Sequence, residues 1–129
     1  MVFEGIIDCS EKCLANGIPV GLGTDTGCPF ITHYDMWREL VYFHKYCGVS
    51  NKFALYTATK RNAEIAHIDD ITGTVEPGKC ADLIVTEKNP IDDLTALRDV
   101  KMVMARGKLI REPKVKKYEN VERELDKFL

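Results

Sequence analysis

One strand-like run stands alone in the first 70 residues, and it constrains the fold of this 129-residue chain more than any other feature. Val20-Gly21-Leu22-Gly23 is short and apolar, and it runs into Thr24-Asp25-Thr26-Gly27. Such a run suits a strand buried on both faces, as in a parallel sheet. Two glycines inside it imply close packing or a tight backbone approach. Helical patterns flank it on both sides. A lone strand has two unpaired edges, which favours self-association or strand exchange.

The rest of the chain divides around that run. Phe3, Ile6, Ile7, Cys13 and Leu14 fall roughly on one helix face, with Gly17 where a C-cap would stand. A second helix is expected from Tyr34 to Cys47, with Trp37, Leu40, Val41, His44 and Cys47 as its apolar stripe and Gly48 as its stop. Ser50 suits the N-cap of a third helix through Ala58, and a short fourth covers Asn62 to Ala66. Strand-like runs follow at residues 72–86 and 100–111, split by the turn signals Pro77-Gly78 and Arg106-Gly107. Tyr118, Val121, Leu125 and Phe128 then recur at helical spacing. The chain therefore reads as α/β: residues 1–70 helix–strand–helix–helix, residues 71–112 small β structure, and residues 113–129 a C-terminal helix.

Composition excludes several classes. Lys and Arg number 18 against 20 Asp and Glu, a net charge of -2 that lacks the basic surface nucleic acid demands. No apolar run approaches the ~20 residues of a membrane-spanning helix. The N-terminus lacks the basic and long apolar regions of a signal peptide, so a soluble, cytoplasmic chain is expected. Five cysteines (Cys9, Cys13, Cys28, Cys47 and Cys80) in odd number and without a CxxC pair fit neither a disulfide framework nor a zinc ribbon. Cys9 and Cys13 sit four apart and could share a helix face, but no second pair or nearby His completes a metal clip. The expectation for all five is small buried hydrophobes in a reducing compartment.

Gly21-Leu22-Gly23-Thr24-Asp25-Thr26-Gly27 is the motif with chemical potential. A dinucleotide fingerprint fails, because Thr26 occupies the third glycine position and Cys28-Pro29 follows where a helix should run. The Asp-Thr-Gly of aspartic proteases would need a carboxylate pair shared across a dimer. The flanking Gly-Thr and Cys-Pro, and the helical surroundings, disfavour it. Two readings stay open on the motif alone. Asp25 is either a carboxylate at the C-terminal end of a barrel strand, where barrel enzymes keep catalytic groups, or the cap of a turn. At a strand end it could ligate a divalent metal or accept the proton of a metal-bound water.

The downstream sequence resembles the C-terminal third of the metal-dependent amidohydrolase superfamily, in its imidazolonepropionase-like and prolidase-like branch. The resemblance is carried by five stretches in order, covering about residues 10–112. They are Val20 to Asp25, Ala54-Leu55-Tyr56-Thr57-Ala58-Thr59 with Asn62-Ala63, Gly73-Thr74-Val75-Glu76-Pro77-Gly78-Lys79-Cys80-Ala81-Asp82-Leu83-Ile84-Val85, Asn89-Pro90, and Val103-Met104-Ala105-Arg106-Gly107-Lys108. It implies the last strand and helices of a (β/α)8 barrel plus part of a small β-sandwich. It implies a hydrolase of C–N bonds acting on an amide, cyclic amide or dipeptide. Asp25 would be metal ligand and general base, with a divalent metal, zinc, in the full-length enzyme. Thr26 and His33, in the loop after Asp25, would contact substrate. Asp82 would be structural.

The family's other metal ligands would precede this chain. His33, His44 and His67 form no His-x-His pair, and one carboxylate falls short of the roughly three protein ligands of an open zinc site. A complete barrel takes ~250 residues. Whether the chain is an enzyme is therefore open, and so is whether it holds a metal of its own. The rival expectation is a non-catalytic truncated fragment that folds only as a homo-oligomer. His44 is expected as a core histidine, His67 as a helix C-terminal cation, and Cys28 as no nucleophile without a base partner. The mixed charges from Arg111 to Lys127 read as a solvated helix face.

Overall fold

The computed structural model describes residues 2–129. Helix α1 spans Val2–Ala15, α2 spans Met36–Cys47, and α3, Asn51–Tyr56, passes through a π-helical turn, Thr57–Arg61, into α4, Asn62–Ile65. A three-stranded antiparallel sheet follows, built from β1, Leu83–Thr86, β2, Val100–Ala105, and β3, Lys108–Arg111, in the order β1-β2-β3. A 3-10 turn, Leu94–Arg98, lies between β1 and β2. Helix α5, Glu119–Leu125, ends in a second 3-10 turn, Asp126–Phe128.

Local chemistry sets most of these boundaries. Gly17 adopts φ 69 after α1, with Ile18 N–H donating to the Cys13 carbonyl at 2.9 Å and Gly17 N–H to that of Leu14 at 3.1 Å. That paired pattern closes a helix while satisfying its last carbonyls. Gly48 ends α2 in the same left-handed region, φ 66. Ser50 caps α3, its hydroxyl accepting from Phe53 N–H at 3.2 Å. Between α3 and α4 the expected break is absent. No Gly or Pro interrupts residues 51–65, so the helix continues through one wide turn.

The largest difference lies at residues 20–23. No strand forms there, because a strand exists only through ladder partners and the described residues supply none. The side-chain amide of Asn62 takes the place of one: its Oδ1 accepts from Leu22 N–H at 2.9 Å and its Nδ2 donates to the Leu22 carbonyl at 2.8 Å. Gly21 is required by that approach, since a Cβ there would stand 2.9 Å from Asn62 Oδ1. Gly23 has open space around it, so the close packing expected of both glycines holds for one.

The β region is one sheet in a single layer among the described residues, and residues 72–82 form no strand. Arg106 and Gly107, at φ 49 and 78, make the tight β2–β3 turn, the two positive values that match the twist of a hairpin. Asp82 ties that turn down: its carboxylate accepts from Arg106 N–H at 2.7 Å and from the Thr72 hydroxyl at 3.0 Å.

The core is small and lies under α2. Leu40, Phe43, Ala54 and Leu94 are buried together, with Leu14, Val20 and Leu22 packed against them. Beside it sits a buried ion cluster where a solvated tail was expected. Arg38, 2% exposed, pairs with Asp35 at 3.2 Å, Glu122 at 3.0 Å and Asp126 at 2.8 Å. Arg98 joins Glu122 at 3.1 Å and Asp126 at 3.0 Å, and both guanidiniums lie over the Trp37 ring. One face of the charged tail is thus folded inward. His44, in turn, is exposed, its Nδ1 2.6 Å from the Val49 carbonyl, and so is no core histidine. The cysteines are all free and none is fully buried: Cys9, Cys28 and Cys80 are exposed, Cys13 and Cys47 half-buried.

Candidate functional site

Asp25 ends the segment that Asn62 holds. From there the chain makes a run of left-handed residues, Asp25 at φ 52, Gly27 at φ 119 and Phe30 at φ 67. Two of these are not glycine, and such backbone persists only where the surroundings over-determine it. The turn folds Cys28 back onto Asp25, its thiol donating to Oδ2 at 3.5 Å. Thr24 and Thr26 flank the carboxylate with hydroxyls 2.5 Å apart, and Thr26 and Cys28 form an isolated bridge.

Asp25, Thr26, Cys28 and His33 are all exposed. The structure brings Asp25, Thr26 and Cys28 into one turn. His33 lies at the far end of the same loop, just ahead of α2, and shares no hydrogen bond with Asp25. Its neighbours are well held. The Thr32 hydroxyl donates to Asp35 at 2.5 Å, and Tyr34 Oη accepts from Tyr118 N–H at 2.9 Å. The loop is therefore pinned at both ends, by Asn62 at one and by the Arg38 cluster and the tail at the other.

The Asp25 contact also decides the chemistry of Cys28. The hydrogen bond to Asp25, then the carboxylate charge, then burial raise the thiol above its ordinary value. A thiol so placed keeps its proton, the opposite of what a nucleophile needs. His67 takes φ 56 just past α4, closing that helix as glycine closes α1, with Ile68 N–H donating to the Ala63 carbonyl at 3.0 Å.

No group of three or more His, Cys, Asp or Glu stands together among the described residues. Asp25 has Cys28 beside it and no other such donor in hydrogen-bond contact. An open catalytic zinc takes about three protein ligands, so these residues do not by themselves make such a centre. Asn62 and Arg38 are the site-shaping residues that the sequence reading did not single out for that role. Asn62 belonged to a quoted motif, but nothing in its spacing says that its amide faces Leu22.

An apolar segment thus ends in an exposed carboxylate, is held against helices, and is followed by a small antiparallel sheet. The chain belongs to the amidohydrolase family, whose pattern matches residues 4–110. Members of that family generally depend on a metal and hydrolyse their substrates. Among curated proteins it is similar to the imidazolonepropionase of Picrophilus torridus, 43% identical over 88 residues, which are 68% of this chain and 21% of that protein. A solved structure from Bifidobacterium longum, presented as a candidate prolidase, superposes with a TM-score of 0.90 at 39% identity, over 94% of this chain and 30% of the other. A Xaa-Pro dipeptidase solved with methionine in its active site gives 0.74 at 35% identity, over 82% and 25%. The chain thus spans between about a fifth and a third of the length of these relatives. No helix among the described residues is long and apolar enough to cross a membrane.

Proposed function

We propose that this chain is the C-terminal part of an amidohydrolase that cleaves a C–N bond in an amide, cyclic amide or dipeptide. On this reading residues 1–70 are the last strand position and helices of a (β/α)8 barrel. Residues 71–112 are a segment of a β-sandwich, and 113–129 a terminal segment that carries α5. Asp25 is the general base that takes a proton from the attacking water, with Thr26 and His33 contacting substrate. The observation that carries the proposal is the position of Asp25. Its carboxylate is exposed at the end of the apolar segment, in a turn of left-handed residues, where a strand end of a barrel would present it. Residues 20–23 then become a strand once neighbouring strands supply the ladder.

The divalent metal, zinc, that the resemblance implies needs ligands from outside the described residues. The isolated chain is accordingly inactive. A second reading has a specific observation in its favour. Leu83, Ile84 and Val85 of β1 are all exposed and both sheet edges are open, which suits a non-catalytic chain that folds as a homo-oligomer.

The test is a chimera in which residues 10–112 replace the matching segment of the Bifidobacterium protein, assayed on Xaa-Pro dipeptides and N-acyl amino acids. Hydrolysis is expected, with Asp25→Asn lowering kcat by about 10²–10⁴-fold, the range for a positioned acid–base group. A loss below about tenfold sinks the role of Asp25. In parallel, divalent metal is counted by elemental mass spectrometry on the sized chain itself. Stoichiometric metal that disappears in Asp25→Ala would mean that other copies supply the missing ligands, and would favour the oligomeric reading.

A further inference from the structure

We propose that Cys9 and Cys13 of α1 form a two-thiol chelating site for a soft, thiophilic centre of the trivalent arsenical class. The two residues sit one helical turn apart, so their side chains stack on one face. Both line a surface hollow of about 420 Å³ whose other walls are Gly5, Ile6, Ser10, Pro19 and Val20. Cys9 is exposed and Cys13 half-buried, so the pair is open to a small molecule from the Cys9 side. Burial pushes the Cys13 thiol up, and the Cys9 thiol one turn away pushes it further.

Spacing selects what can join them. Residues four apart on a helix hold their Cβ atoms about 5–6 Å apart, whereas a disulfide needs about 3.5–4.5 Å. A direct S–S bond therefore requires the helix to deform. A bridging atom removes that conflict: two bonds of about 2.3 Å each hold the sulfurs well beyond the about 2.05 Å of a direct S–S bond, so Cβ atoms about 5–6 Å apart can be spanned. Among the described residues no third His, Cys, Asp or Glu stands with the pair. Two sulfurs fall short of the four ligands of structural zinc but complete a monosubstituted trivalent arsenic.

The reaction with an aryl arsenoxide balances without an oxidant or reductant. Two As–S bonds form and the As=O bond breaks. The oxygen leaves as water with both thiol protons, and arsenic stays trivalent. The hollow is walled by Pro19 and Val20, three and two residues ahead of the Leu22 that Asn62 grips. The inference is nevertheless independent of whether Asp25 is a catalytic base.

The probe is phenylarsine oxide, added to the full chain and read by native mass spectrometry with a count of titratable thiols. One phenylarsenic adduct per chain and the loss of two of the five thiols are expected. Cys9→Ser and Cys13→Ser should each weaken binding by about 10²-fold or more, since each turns a two-point attachment into one. Cys28→Ser, Cys47→Ser and Cys80→Ser should leave it unchanged. Alkylation of the wild-type adduct followed by digestion needs no variant to fold, and should find Cys9 and Cys13 protected. Protection of a different pair, an adduct that survives Cys9→Ser, or ready formation of a Cys9–Cys13 disulfide under mild oxidation would each overturn the proposal.

Discussion

Asn62 shows how one side chain can stand in for a missing strand. Its amide carries a donor and an acceptor in the arrangement of a backbone peptide, and it uses both on Leu22, three residues before the candidate base. Asn62→Ala leaves the half-buried Leu22 N–H and carbonyl without partners, and each orphaned group costs about 1–3 kcal/mol. The expected result is a lower urea midpoint with an unchanged slope, together with faster hydrogen exchange at Leu22. An unchanged midpoint would mean that the Leu22 contact contributes nothing. Gly73 is a second residue whose identity the structure requires. It has φ +94, and a Cβ there would meet the Ala63 Cβ at 2.5 Å. The strongest sequence motif, Gly73 to Val85, is thus packing and turn chemistry. Its glycine seats the loop on α4, and its Asp82 ties down the hairpin. The motif's glycines and proline were legible in the sequence as turns. The partner each one meets was not, because that partner lies on another element.

The link between α2 and α5 is the clearest case at the scale of elements. Both helices were legible from spacing, and their caps or stops from Gly48 and the apolar stripe. That they meet through charge was not, because a helical run of alternating signs looks the same whether water or a guanidinium faces it. Arg38 sits between carboxylates from its own helix and from the tail. Arg38→Met takes the counter-charge from the buried Asp35, leaves Glu122 with Arg98 alone, and should cost about 3–5 kcal/mol, measured by urea unfolding. A loss under about 1 kcal/mol would show that the carboxylates find other partners. Asp126 adds a pH dependence. Burial raises its carboxyl, but hydrogen bonds from Arg38 and Arg98 outweigh that, and the group lies below its ordinary 3.8. A depressed carboxyl contributes stability that is present above the unfolded value and lost as pH falls through the folded one. The urea midpoint should therefore drop as pH falls below about 4. In Asp126→Asn that part of the drop should be missing, the variant being weaker already at neutral pH.

The whole molecule carries more apolar surface than its core consumes. Phe3, Ile6, Ile84, Ile110 and Val75 are exposed, the last at 84%, and the sheet ends in two open edges. Surfaces of that kind mark interfaces. The chain should elute as a dimer or larger on a sizing column with light scattering, and Ile84→Lys should shift it toward monomer. A monomer at all concentrations would remove the oligomeric reading. Spacing, caps and turn residues determined the helices, the hairpin and the family resemblance, because those features depend on neighbours within a few residues along the chain. Three things only the tertiary structure decided. Residues 20–23 stay extended without becoming a strand, since ladder partners must come from elsewhere in space. The charged tail turns one face inward, since Arg38 lies 84 residues away from Glu122 in sequence. And the segment that ends in Asp25 is held by the Asn62 amide, 40 residues from the Leu22 it grips, since no local pattern encodes an arrangement of groups so far apart along the chain.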